Sequence, residues 1–445
     1  SFFIFTVTGA FLLTGMNLWQ AIISVFSEYL YPQALDITKA SILTFITFYC
    51  GYVGLMEYGG PIKGFTRDVS KYSKDEKSTQ LMAWLSSVVV FFSDLGSPGI
   101  VGIIFREKFN KYKIPREKLA LIINFTAVPV CSMIPLVGWG LFAIGVSYGV
   151  ISALKMEIEP IMLFIKSIPY FNFSLLAVIT PLLLTMGKFY THELQHAETE
   201  VLKNNIKYIE DRKGFEVDIA IAEEETKGWI LSVTVIVMLF TIVFAMNLDG
   251  VNLFNVSLRQ FMVYVGAGFI FASFLGMLSM WFVKHKKFMQ AFRQYYKMFT
   301  RVLSVTAILT MSWVFFEMSY KAGIFQSINS FISDYVPAFF IAPLVFITGC
   351  ILSTVTGSAW GTYAVMIPMV LIIGKDININ LFMVVGAAIS GSVYGDISAK
   401  NSHAAIYSAE CAGIDPKLFL DIQKPYMHAI GLSCILTFTA DYFVK

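Results

Sequence analysis

Two uncharged stretches of this 445-residue chain are each too long for one straight crossing of a bilayer. Leu119 to Leu154 runs 36 residues without an acid or base, and Tyr335 to Gly374 runs 40. A straight helix over either would reach roughly 54–60 Å, against a hydrocarbon core of about 30 Å. Each must therefore bend, break or turn back inside the membrane. Both carry helix-disfavouring residues in the middle: Ala127-Val128-Pro129-Val130-Cys131-Ser132-Met133-Ile134-Pro135 in the first, Ser353-Thr354-Val355-Thr356-Gly357-Ser358-Ala359-Trp360-Gly361 in the second. Irregular backbone at membrane depth is tolerated only where protein buries it or where it lines a cavity. Broken segments in corresponding halves of a polytopic chain point to the binding site of a transporter.

Composition agrees with a membrane chain and excludes a soluble one. Apolar residues make up 56% and charged residues only 14%, with a mean hydropathy of +0.68. The net charge of +3 carries no nucleic-acid signal, because the basic residues sit in short runs between apolar blocks. Cys50, Cys131, Cys350, Cys411 and Cys434 are odd in number and scattered, so neither a disulfide framework nor a cysteine metal site is expected. No signal peptide is legible, and Ser1 in place of an initiator Met leaves room for native residues ahead of it.

Full spans are expected near Ile4–Val25, Ala40–Met56, Pro160–Gly187, Trp229–Met246, Phe261–Val283, Val302–Phe316 and Pro425–Ala440. Basic residues cluster in Lys63–Lys77, Arg106–Lys118, Lys188–Lys227 and Lys284–Arg301, which the positive-inside rule places in the cytoplasm. Ile151–Glu159, Asn247–Asn255 and Lys321–Asp334 then face outside. The first two basic clusters share a side, yet only Leu81–Phe105 separates them. One crossing would change sides, and two do not fit. A re-entrant hairpin fits, with its tip at Phe92–Gly99. Tyr335–Gly374 reads as the same device entered from the opposite side.

The expected architecture is an all-α polytopic membrane protein with two inverted-topology repeats, each holding a re-entrant hairpin and a broken transmembrane helix. The first repeat covers residues 1–187, with hairpin 81–105 and broken helix 119–154. A charged cytoplasmic linker covers 188–228, and a linking span with an outer loop covers 229–260. The second repeat covers 261–445, with hairpin 335–374 and broken helix 377–403.

Ionisable groups at membrane depth are expensive, about 2.5–3.5 kcal/mol on insertion scales, and so are functional candidates. Asp94 sits in the first hairpin tip, Asp396 in the second broken helix, and Glu57 and Glu317 at matching span ends. Helix capping alone would also account for Asp94 and Asp396, and headgroup-level exposure for the two glutamates. Ser93, Ser97, Asn124, Thr126, Thr356, Ser358, Ser390, Ser398 and Asn401 cluster at the breaks with His403, and Lys400 lies beside them. Hydroxyl, amide and freed carbonyl oxygens suit a small cation, whereas N–H groups at half-helix N-termini suit a carboxylate. Many of the hydroxyls would equally satisfy their own helix.

His192-Glu193-Leu194-Gln195-His196 spells the HExxH pattern of zinc proteases, and Asn247-Leu248-Asp249-Gly250 echoes the LDG of intramembrane metalloproteases. The His pair lies in a charged linker and Asp249 on the opposite membrane face, so one metal would not reach both. No enzyme is expected.

At these residues the chain resembles the NhaC-type sodium/proton antiporter family of the ion transporter superfamily. Phe91-Phe92-Ser93-Asp94, Arg116-Glu117-Lys118-Leu119-Ala120 and Thr126-Ala127-Val128-Pro129-Val130 are similar to the family's FFDDY, REKLA and TAAPV. Gly357-Ser358-Ala359-Trp360-Gly361-Thr362 is similar to its TGTSWGT turn, and Gly391 to Ser402 to its GDxxSPISD stretch. The resemblance implies a multi-pass secondary transporter of the bacterial cytoplasmic (inner) membrane exchanging a small cation for protons, with sodium and proton coupling and no other cofactor. Some relatives carry organic acids or amino acids instead. Implied partners are membrane lipid and the transported species, with a homodimer left open. The chain departs from the pattern where Ser93 replaces the first of two acids, Ala399-Lys400 replaces Ser-Pro, and His403 replaces the second Asp. Those changes remove two carboxylates and favour an organic anion.

Overall fold

The computed structural model describes residues 2–13, 15, 17–92, 96–203, 226–253, 255–284, 288–377 and 379–443. Among the described residues every regular element is helical. Seven helices are long and apolar enough to cross a membrane, so this is a multi-pass membrane protein.

The first hairpin goes in along Glu76–Val89 and returns along Gly96–Lys111. Asp75 starts it with a capping box, its carboxylate accepting the Ser78 N–H at 2.7 Å. Those Ser78 hydrogen bonds hold the Asp75 carboxyl below the usual carboxylate range. The two ends of the hairpin meet: the Tyr112 hydroxyl donates to the Ser73 carbonyl at 3.0 Å. Both arms extend past the expected 81–105, because a polar cap rather than the limit of apolar composition sets where a helix begins.

The second hairpin pairs Ala338–Thr356 with Ala359–Asp376. Its turn needs glycine twice over. Gly357 has φ +66°, and a Cβ there would stand 2.6 Å from Asn401 Nδ2. The end of this hairpin's return arm is tied to the preceding helix Ile324–Tyr335, with Asn329 Nδ2 donating to Asp376 at 2.6 Å. The expected range of 335–374 is thus shifted slightly along the chain.

Proline sets the breaks in the first broken helix. It runs as Arg116–Asn124, Ala127–Met133 and Gly138–Leu154. Pro129 cannot donate to the Phe125 carbonyl and would clash with it in a continuous helix, so the chain breaks at Phe125–Thr126. The Thr126 hydroxyl donates to the Ile122 carbonyl at 2.6 Å, satisfying one freed acceptor. Pro135 forces its predecessor out of the helical region, and Ile134 has φ −101° and ψ 118°. The second broken helix is Leu381–Ser398 followed, after a four-residue turn, by His403–Ala412. Asn380 caps its start and Ser402 caps its second piece, accepting the Ala405 N–H at 3.0 Å.

Close backbone contact fixes the second hairpin to this helix. Gly391 and Gly395 form a small-xxx-small pair facing Phe346, Cys350 and Ser353. A Cβ on Gly395 would lie 2.5 Å from Ser353 Cβ, and one on Gly391 would strike the Phe346 carbonyl.

Two expected spans differ. Ile4–Val25 is not one helix: Phe2–Leu13 ends near Gly15, whose φ is +68°, and a new helix starts at Leu18 under an Asn17 cap. Pro160–Gly187 bends by 48° at Phe171, between Pro160–Tyr170 and Asn172–Thr185. The Ser390 hydroxyl bridges that bend, accepting from Phe173 N and donating to Tyr170 O, each at 3.4 Å.

Candidate functional site

The two broken helices meet at their breaks. Asn124 ends the first piece of one, and its Nδ2 donates to the Ile397 carbonyl at 3.3 Å in the last turn of the other. Gln423, from the final helix Pro416–Phe443, donates to the same carbonyl at 3.1 Å. Asn124 Nδ2 also donates to Gln423 Oε1 at 2.8 Å. Asn124 and Gln423 are each 1% exposed. Breaking a helix strands carbonyls that inside a membrane have no water to turn to. Here side chains from two other elements supply the missing donors.

Asp396, one residue before Ile397, points the other way. Its Oδ1 accepts the Ala359 N–H at 3.1 Å, at the start of the second hairpin's return arm. Ser358 caps the same helix start through Gly361 N at 3.4 Å. A carboxylate at a helix N-terminus gains from the aligned peptide dipoles as well as from the hydrogen bond. The first hairpin shows a related pairing. Glu57 is 5% exposed, and its carboxylate occupies the space a Cβ on Gly96 would need, at the start of that hairpin's return arm.

Two buried oxygens in this region lack a protein partner: Asn124 Oδ1 and the Tyr363 hydroxyl. Tyr363, 1% exposed, lies near enough to Asp396 to feel its charge, and its ring meets Trp139 edge-on at 5.8 Å. Trp139 and Trp360, with centroids 4.9 Å apart, form part of the wall of a cavity of about 220 Å³. Tyr49, Phe92 and Cys131 line its other side, so it reaches both hairpin turns and the first helix break. The Tyr49 hydroxyl donates to the Phe92 carbonyl across that side.

The remaining candidates divide clearly. Asp396 and Ser358 meet at the start of the second hairpin's return arm and Asn401 packs against Gly357 in the same turn, whereas Asn124 bonds the Ile397 carbonyl and Gln423. Thr126, Ser390 and Ser398 turn their hydroxyls to nearby main chain, Ser398 to Gly395 O at 3.4 Å. Thr356 is exposed at the hairpin turn and donates to Leu352 O at 2.8 Å. Lys400, Asn401 and His403 are exposed. Glu317 lies in a separate polar group, accepting from Gln33 at 2.6 Å and pairing with Lys321 at 3.1 Å. Ser93 and Asp94 lie outside the described residues, as does the side chain of Ser97. Gln423 and Tyr363 are not among the residues that the sequence singles out. Gln423 lies between Asp421 and Lys424, just ahead of the apolar run from Pro425, where an amide carries no signal of its own. Of the HExxH elements, His192, Glu193 and His196 line a surface cavity beside the linker, while Asp249 accepts from the Tyr264 hydroxyl.

Comparison with known proteins places this architecture. An uncharacterized protein of Haemophilus influenzae is 22% identical over 409 residues, which is 88% of this chain and 77% of that protein. The crystal structure of the Alcanivorax borkumensis YdaH transporter, described as having an unusual topology, superposes with a TM-score of 0.59 at 11% identity. The match covers 95% of this chain and 88% of that one, and shows a shared fold. Residues 130–439 match the Na+/H+ antiporter family, a stretch that takes in Tyr363, Asp396, Gln423 and the whole second hairpin. With the second broken helix, its hairpin and its buried carboxylate inside that match, the chain belongs to the Na+/H+ antiporter family.

Proposed function

We propose that this secondary transporter exchanges a small cation for protons by alternating access, with Asp396 as the carboxylate that each occupies in turn. One observation carries the reading. A buried carboxylate lies in the last turn before the second helix break, close to a buried oxygen, the Tyr363 hydroxyl, that has no protein partner. Buried polar groups are ordinarily paired, and an unpaired oxygen beside a carboxylate suits a hard cation such as sodium.

The order of elements supports an inverted repeat around this site. Span Ile37–Tyr58, short helix Pro61–Ser70, hairpin, broken helix and closing span recur as Phe299–Lys321, Ile324–Tyr335, hairpin, broken helix and closing span. Inverted repeats place the transported ion at their interface. The basic connections favour the bacterial inner membrane with the linker inside.

The test is exchange in proteoliposomes. Cation addition should collapse an imposed pH gradient, and Asp396→Asn should abolish that collapse. Absence of exchange with lithium, sodium and potassium alike would overturn the proposal.

The aromatic cavity favours a second reading, coupled carriage of a small organic acid or amino acid. Its walls are mostly apolar, and it lies against both hairpin turns. Gradient-driven uptake of a labelled organic solute, lost on Trp360→Ala, would support that reading over simple ion exchange.

A further inference from the structure

Three helices that line the aromatic cavity close against one another at one end of it. Ile37–Tyr58 lines it between Ile46 and Val53, Gly138–Leu154 with Gly138 and Trp139, and Phe299–Lys321 between Ser304 and Ile308. One step further along each helix the space is filled. A Cβ on Gly145 would stand 3.1 Å from Leu309 and 3.4 Å from Ile42. The next turn holds Trp313, 2% exposed, whose indole N–H donates to the Gly145 carbonyl at 2.8 Å. A Cβ on Gly149 would lie 2.6 Å from its ring. These contacts make Gly138–Leu154 parallel to Phe299–Lys321 and antiparallel to Ile37–Tyr58, so all three carry their plug residues on the same side of the cavity.

A polar network lies behind Trp313. The Lys39 ammonium stands 5.4 Å from the centre of the indole ring and 3.9 Å from Asp36, and donates to Gln33. Asp36 accepts the Tyr148 hydroxyl at 3.3 Å. Gln33, 4% exposed, donates in turn to Glu317 at 2.6 Å, and Glu317 pairs with Lys321 at 3.1 Å. A cation held over an indole and beside a carboxylate gains from the ring's negative face as well as from the opposite charge. The bonds from Trp313 to Gly145 and from Tyr148 to Asp36 both cross onto Gly138–Leu154, whereas Gln33 and Lys39 tie the other helices to each other.

We propose that Trp313 and the Lys39 network form the outer gate of the transport path, closed in this structure. It opens when Gly138–Leu154 parts from Ile37–Tyr58 and Phe299–Lys321, freeing the indole from the glycine face. The outward direction rests on the topology that puts Lys321–Asp334 outside, and the path on the reading of the chain as an alternating-access transporter.

Cys50 lines the cavity and reports the gate. A small membrane-impermeant methanethiosulfonate is added to right-side-out vesicles holding the full chain, and modification is read residue by residue by peptide mass spectrometry. Cys50 of the native protein should react slowly. Trp313→Ala should raise its rate at least about tenfold, by shifting population toward the open gate. Trp313→Phe keeps a ring but loses the bond to Gly145, and should raise the rate about threefold, as for one hydrogen bond. Cys411 and Cys434, each 0% exposed, should stay unmodified and so report an intact fold. If Trp313→Ala exposes them, Trp313→Phe decides. The readout needs no transported ion, so its failure is distinct from a failure of cation exchange at Asp396. A Cys50 that neither variant accelerates, whether reactive or inert in the native protein, overturns the proposal.

Discussion

Asn124 and Gln423, 299 positions apart in the chain, donate their side-chain amides to one main-chain oxygen, that of Ile397, and Asn124 also donates to Gln423. The three groups form a closed triangle at the end of a helix. Each amide bonds the carbonyl in its own right, and the bond from Asn124 to Gln423 couples the two.

The shared Asn124–Gln423 bond, which either single variant removes, predicts non-additive stability. Asn124→Ala strands Gln423 Oε1, and Gln423→Leu strands part of Asn124. Each should lower thermal stability in detergent by about 1–3 kcal/mol, the cost of a buried group left unpaired. The double variant should lose less than the sum of the two. Additive losses would show that the amides act separately.

Asp396 separates a structural role from a transport role by choice of substitution. Asn keeps an oxygen to accept the Ala359 N–H but cannot carry the charge or the proton. Asp396→Asn should remain extractable and monodisperse while cation-driven exchange disappears. Asp396→Ala should also loosen the hairpin turn, by about 0.5–2 kcal/mol as for other lost helix caps. If the Asn variant transports normally, Asp396 is a cap alone.

Lys118 should hold the linker helix in place. It is 1% exposed and ties Glu198 and Tyr190 of the linker to Glu76 at the start of the first hairpin. Lys118→Met should free the helix His192–Leu202 and raise protease cleavage there in inside-out vesicles, with a stability loss of about 1.5–3 kcal/mol for the lost charge-assisted bonds. Unchanged cleavage would place the linker's anchorage elsewhere.

Topology can be checked by cysteine accessibility. Reagents added from outside should label positions 157 and 252 and leave position 111 untouched. Position 213 should be untouched as well, though it lies outside the described residues. Labelling at 111 would break the argument that the first hairpin enters and leaves on one side.

Much of this architecture is legible in the residues alone. Pro129 and Pro135 mark breaks because their ring chemistry forbids a continuous helix, and Gly357 marks a turn because the chain there enters a left-handed conformation. The long uncharged stretches require bending simply by length. What stays hidden is pairing at a distance. Glu57 and Glu317 look equivalent in sequence, yet the first is buried against Gly96 and the second joins Gln33 and Lys321. Tyr363 sits in a segment that reads as plain apolar helix and Gln423 in a charged run just ahead of one, and only packing reveals what each faces. Gly15 carries no signal of its own, because one glycine inside an apolar run is common in membrane helices.

The glycine contacts behind the second hairpin limit how the protein can move. At Gly391 and Gly395 the helix Leu381–Ser398 touches the hairpin arm main chain to main chain, and Gly349 returns the contact from the other side. Sliding one past the other would need side chains to act as a bearing surface, and at these points there are none. The hairpin arm and the helix behind it therefore travel as a single piece, like a blade welded to its spine. Any shear that opens the site to one side of the membrane has to run along the aromatic wall of Tyr49, Trp139 and Trp360, where rings can re-stack without tearing main chain from main chain.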